Sequence, residues 1–158
     1  GAGYDFSIRP VSAIAPGVLG ITGIETGEIV QGVKEKSKPS LIIAVDALAA
    51  RNIGRLGTTV QLSDTGICPG SGVGNNRKEL TEKTMGIPVI AIGVPMVVDA
   101  VTLVSDMLEA MSENSREKLS ENISRQNQNM IVTPNDVDSI SEKISDIISE
   151  GINMALLS

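Results

Sequence analysis

Two continuous apolar runs, Leu41 to Val45 and Pro88 to Val94, constrain the fold of this chain more than any other feature. They read Leu-Ile-Ile-Ala-Val and Pro-Val-Ile-Ala-Ile-Gly-Val, with no polar residue alternating, so each predicts a strand buried on both faces. Such strands belong to parallel sheets covered by helices. Shorter runs at Val11 to Ala15 and Thr58 to Leu62 give two more candidate strands. Helical spacing follows them. Gly23 to Lys38 opens with Thr22 and Glu25 in capping-box spacing, places Ile24, Ile29, Val30 and Val33 on one face, and stops at Pro39. Met96 to Met111 carries an apolar stripe through Val97, Val101, Val104 and Leu108. Thr133-Pro134-Asn135-Asp136 predicts a helix start with an N-cap threonine, and Val137, Ile140, Ile144, Ile148 and Ile152 continue the stripe. The alternation predicts an α/β class: a three-layer fold with a mostly parallel sheet flanked by helices. Residues 1–158 read as a single domain without internal repeats, and the polar stretch 112–129 reads as a connector or solvated helix.

Composition narrows the chemistry. Histidine is absent, which removes Ser-His-Asp and Cys-His catalysis and histidine metal ligation. The single cysteine, Cys68, excludes an internal disulfide and any cysteine zinc cluster. Tyr4 and Phe6 are the only aromatics, so no stacking platform for single-stranded nucleic acid can be assembled. A net charge of -6 argues in the same direction, because phosphate backbones attract basic faces. No direct nucleic-acid partner is expected. No apolar run approaches the roughly 20 residues of a membrane span, and the start carries no signal-peptide pattern, so a cytoplasmic protein without a membrane partner is expected.

Three aspartates lie at or just past the predicted strand ends, where ligands bind in open α/β sheets. Asp46 follows Leu-Ile-Ile-Ala-Val, Asp64 follows Val-Gln-Leu-Ser, and Asp99 follows Ala-Ile-Gly-Val-Pro at a short distance. Asp46 stands out, since terminating an apolar strand would leave its carboxylate partly desolvated, as general acid–base work requires. The competing role is to cap a short helix over Ala47 to Arg51. Asp64 and Asp99 carry the same two possibilities, with capping the stronger. Between residues 65 and 79 lies Thr-Gly-Ile-Cys-Pro-Gly-Ser-Gly-Val-Gly-Asn-Asn-Arg-Lys-Glu. Its glycines allow backbone N–H groups to line a concavity for an anion or an oxyanion. The string lacks the Gly-Lys-Ser/Thr ending of a phosphate-binding loop. Arg77 and Lys78 add positive charge, or are simply solvated. Cys68 has no histidine to activate it as a nucleophile, and no Ser-Lys pair is nominated by spacing. The carboxylates of Asp46 and Asp64 could hold a metal, but no histidine is available and the ligand count is low, so no metal or cofactor is expected.

Arg9-Pro10-Val11-Ser12-Ala13-Ile14, Pro16 to Thr26, Ala44-Val45-Asp46-Ala47-Leu48-Ala49-Ala50-Arg51, the glycine loop, Gly86 to Pro95 with Val98-Asp99-Ala100, and Val132-Thr133-Pro134 form a distinctive set of strings. Together they resemble the spore germination protease family. The resemblance is nearly contiguous from Arg9 to Asp106 and resumes from Met130 to Leu156. It implies an endopeptidase of sporulating Firmicutes that degrades small acid-soluble spore proteins at germination. It further implies a zymogen, a homotetramer in the cytoplasm of the spore core, and a fold similar to hydrogenase-maturation endopeptidases. Two essential aspartates are implied, one of which transfers onto Asp46. In such a pair one carboxyl holds a proton while the other activates water. Beside this, we read Asp64, Gly70, Gly72, Asn75, Arg77 and Asp99 as residues of the substrate cleft or its support, the glycine loop shaping the cleft or stabilising the oxyanion.

Three departures from the family pattern accompany this resemblance. The second essential aspartate belongs to a family segment that precedes Arg-Pro-Val-Ser, so the 158 residues hold half of the pair. A sheet without that segment's strand would leave edge groups unpaired and apolar surface exposed. Cys68 stands where the family commonly has histidine, and the connector before Val132 is shorter. The alternative function is a catalytically incomplete binding or assembly module. A phosphate binder using Gly70 to Gly74 is the third class.

Overall fold

β-Branched side chains pack well on a pleated surface, and residues 89–99, rich in valine and isoleucine, form the longest described strand. The computed structural model describes residues 10–17, 23–70, 77–109 and 130–157. In chain order these contain α1 (Thr26–Ser37), β1 (Ile42–Ala50), a 3₁₀ turn (Ile53–Arg55), β2 (Gln61–Ser63), α2 (Glu82–Met85), β3 (Val89–Asp99), α3 (Ala100–Glu109), β4 (Ile131–Val132) and α4 (Val137–Leu157). No described helix is long and apolar enough to cross a membrane.

The class is α/β, with an open sheet and helices flanking it. The sheet is mixed, however, rather than mostly parallel. β3 pairs in parallel with β1 from Ile42↔Val89 to Ala50↔Val98. β2 runs antiparallel to β3 from Gln61↔Gly93 to Ser63↔Ala91, and β4 pairs antiparallel at Val98↔Val132 and Asp99↔Ile131. A parallel neighbour needs a long crossover, and the only described helix between β2 and β3 is the four-residue α2. The chain therefore turns back.

β3 meets the expectation of burial on both faces, with Val89, Ala91, Ile92, Val94, Met96 and Val98 all buried. β1 does not. Its Ile42 and Ala44 pack on the cluster of Leu80, Met85 and Val89, which Val30 of α1 also joins. Its opposite face exposes Val45 at 53%, and Leu62 of β2 is 72% exposed; these two flank the buried Ile92. Among the described residues, no strand pairs with the outer edge of β1.

Several element boundaries differ from the sequence expectation, each for a local reason. β1 does not end at Val45 but continues through Asp46 to Ala50, so no helix forms over Ala47 to Arg51. Pairing with Val94, Pro95, Val97 and Val98 outweighs the helix propensity of Ala-Leu-Ala-Ala. β3 likewise runs past Val94, and the helix expected from Met96 starts at Ala100. The third strand forms at 61–63 because the Thr58 hydroxyl donates to the Gly54 carbonyl (2.9 Å), closing a turn where the strand was expected to begin. Residues 11–15 form no strand, and Val11 and Ile14 are exposed. α1 begins at Thr26 and not at Gly23; Thr22 lies outside the described residues. Thr133 does not cap α4: its hydroxyl donates to the Met96 carbonyl (3.3 Å), and the helix begins at Val137. The polar stretch 112–129 also lies outside the described residues.

Two positions fix the ends of these elements. Gly66 has φ +85°, and a Cβ there would lie 2.1 Å from the Leu80 carbonyl oxygen. The adjacent Ile67 and Leu80 exchange two backbone hydrogen bonds (2.9 and 2.8 Å), which close the base of the glycine-rich string. At the end of β3, Asp99 caps α3. Its Oδ2 accepts from the Thr102 hydroxyl (2.6 Å) and its Oδ1 from the Thr102 N–H (2.7 Å). These bonds, the hydroxyl's first, hold its carboxyl below the ordinary value.

Gly66→Ala should lower stability by more than about 1 kcal/mol, read as a shifted denaturation midpoint, because neither φ nor space admits a side chain. Asp99→Ala should cost about 1 kcal/mol through the lost cap. A lowered carboxyl stabilises the fold above its unfolded titration and loses that contribution as pH falls through the folded one. Asp99→Asn keeps a capping oxygen, so its stability difference from wild type should shrink as pH drops below about 4.

Candidate active site

Side chains alternate across a strand, so Ile42, Ala44, Asp46 and Leu48 share one face of β1. Ile42 and Ala44 pack into the core, and Asp46 is half-buried where that packing ends. The register partner of Asp46 on β3 is Gly93, and the partner of Gly93 on the other side is Gln61 of β2. The adjacent row is Ala44, Ala91 and Ser63. Asp46 therefore stands in a row whose central position has no side chain, beside a row of small residues. The Leu48 branch occupies the space above Gly93: a Cβ built on Gly93 would lie 2.3 Å from Leu48 Cδ1.

The three aspartates do not converge. Asp46 is in mid-strand, not at a strand end. Asp99 lies six residues beyond Gly93 on β3, about 20 Å at strand rise, with both carboxylate oxygens bonded to Thr102. Asp64 is exposed one residue past β2, in a turn where the Ser63 and Thr65 hydroxyls bond at 2.6 Å. Because β2 is antiparallel, its end lies toward the amino-terminal half of β3, on the side away from β1. The strand-end rule holds the acids together only in a parallel sheet, and this sheet is mixed. Asp46 and Asp64 are not neighbours. Among the described residues, no group of three or more carboxylate or thiol side chains gathers.

The glycine-rich string is described up to Gly70 (φ +73°, half-buried) and again from Arg77, which is half-buried; Gly72 and Asn75 lie outside the described residues. Its base is tied at three places. Ile67 and Leu80 bridge, the Cys68 thiol donates to the Arg77 carbonyl (3.4 Å), and Glu25 Oε1 accepts from the Lys78 N–H (2.8 Å). α1 adds a further tie, since Lys34 Nζ donates to the Met85 carbonyl (2.8 Å) at the end of α2. Glu25 thus serves Lys78 and not the capping box its spacing suggested. Its side chain makes no cap bond to α1.

Sequence reasoning passed over three contributors. Gly93 and Leu48 shape the surroundings of Asp46, and a lone glycine inside an apolar strand was the available signal for a close approach. Asp106 of α3 accepts from the Ile53 N–H (2.9 Å), fixing the turn after β1. That last contact spans 53 positions and had no local signature.

The family model described as germination protease matches residues 3–113. The germination protease of Clostridium acetobutylicum is 48% identical over 174 residues, covering 96% of this chain and 53% of the relative. That of Caldanaerobacter subterraneus is 49% identical over 171 residues (94% and 53%), and that of Bacillus pumilus 41% over 200 residues (94% and 54%). The chain spans about half the length of these curated relatives. The aligned stretches exceed the 158 residues of this chain, so the relatives hold residues inside the matched span that this chain lacks. With a family match over most of the sequence and near-half identity along almost all of it, the chain belongs to the germination protease family.

Proposed function

We propose that this protein is an endopeptidase acting on small acid-soluble spore proteins at germination, with Asp46 as one carboxylate of an aspartic-type pair. The observation that carries the reading is the setting of Asp46 in a chain of this family: half-buried, in mid-strand, opposite a glycine. As a base, its carboxylate takes a proton from water attacking the peptide carbonyl. The C–N bond then breaks and the amine leaves with a proton. The partner carboxyl polarises the carbonyl. Asp99 is occupied by Thr102, and Asp64 stands on the far side of β3, so neither supplies that partner. The family resemblance assigns it to a segment before Arg9. Gly70 and Arg77, at the tied base of the glycine-rich string, are assigned to the substrate cleft because backbone N–H groups of such a loop can hold an oxyanion, together with Gly72 and Asn75. Synthesis as a zymogen, a homotetramer, the spore core and a likeness to hydrogenase-maturation endopeptidases belong to this proposal as well.

In the full-length polypeptide carrying this sequence, Asp46→Asn should lower kcat/KM on an acid-soluble spore protein by about a hundredfold or more, with an unchanged denaturation midpoint. Cleavage at the wild-type rate by the folded variant would refute the assignment.

A further inference from the structure

We infer that Gly93 and Leu48 act together as the positioning pair that keeps the flank of Asp46 open, an inference that rests on the proposed role of Asp46. Gly93 has no positive φ, so its backbone does not require glycine. Space does. A Cβ at 93 would lie 2.3 Å from Leu48 Cδ1 and 2.8 Å from its Cγ, so the leucine branch fills the volume of the missing side chain. Leu48 and Asp46 share a face of β1, two residues apart, and Gly93 is the direct partner of Asp46. The residue opposite Leu48 is Pro95, a rigid ring that is fully buried. A side chain at 93 therefore cannot push the branch back over Pro95. The displaced branch moves along the face of β1, where the next side chain is Asp46. Glycine at 93 thus berths Leu48 over β3, where its bulk stays off the carboxylate that a peptide bond must approach.

The test uses Gly93→Ala, Leu48→Ile, and the double variant Gly93→Ala/Leu48→Ala in the full-length polypeptide. Carbodiimide coupling of a small amine to Asp46 under native conditions, quantified by mass spectrometry, reads access to the carboxylate without requiring activity. Gly93→Ala should slow labelling several-fold, and the double variant should restore it, because trimming the branch removes the conflict. Leu48→Ile moves the branch point to Cβ, beside Asp46, and should slow labelling with Gly93 intact. It keeps the test decisive should Gly93→Ala not fold. In cleavage assays Gly93→Ala should lower kcat about tenfold or more with little change in KM, recovering in the double variant. A merely structural glycine would shift the denaturation midpoint and leave Asp46 labelling unchanged, and that result would overturn the inference. The proposed function fails separately. Full activity in Asp46→Asn would remove it while leaving the labelling result intact.

Discussion

Residues 42–50 of β1 lie in register with β3, and this parallel pairing decides where everything else can go. It carries the chain past Asp46 without turning, so the carboxylate stands in mid-strand and not on a loop. A strand side chain has fewer ways to move than a loop one, and a catalytic group gains from that rigidity. The pairing also brings Gly93 opposite Asp46 and Leu48 over Gly93, so a single register sets both the acid and its neighbour. A slip of one residue would turn Asp46 to the other face.

The pairing ends through a built irregularity. The register shifts between Leu48 and Ala49, leaving Met96 without a partner on β1. Pro95, which has no N–H to give to a ladder, precedes that residue, and its carbonyl accepts from the Gly57 N–H at 2.7 Å. β3 then runs three residues further to Asp99, where Thr102 satisfies the carboxylate and α3 begins. Asp106, one turn from the end of α3, returns to hold the Ile53 N–H at the turn that follows β1. The C-terminal ends of both strands are thus held by side chains of the helix that follows β3.

Much of this was legible in the residues. The two apolar runs identified β1 and β3, and with them the strand that carries Asp46, the residue on which the proposed function rests. The ends of the strands were not legible, because Ala47 to Ala50 are held by Val94, Pro95, Val97 and Val98, and Val98 and Asp99 also by Val132 and Ile131, and no stretch declares its partner. Helix propensity at Ala-Leu-Ala-Ala pointed the other way. The mixed sheet was hidden for a related reason: the direction of a three-residue strand follows from its connection, not from its composition. Once β2 is known to run backwards, the separation of Asp64 from Asp46 follows. Glu25 shows a further limit, since its spacing suggested a local cap, while its carboxylate accepts from the Lys78 N–H, 53 positions away, which no local pattern announces.

The central claim is that the reacting peptide bond meets the carboxylate of Asp46. A crystal structure of the full-length polypeptide with a statine-containing peptide tests it most directly, because the statine hydroxyl imitates an oxygen of the tetrahedral intermediate. The account predicts that hydroxyl within hydrogen-bond distance of Asp46, with the peptide on the Asp46–Leu48 part of β1, beyond the packed Ile42 and Ala44. A peptide bound with its hydroxyl on other groups, leaving Asp46 untouched, would contradict it.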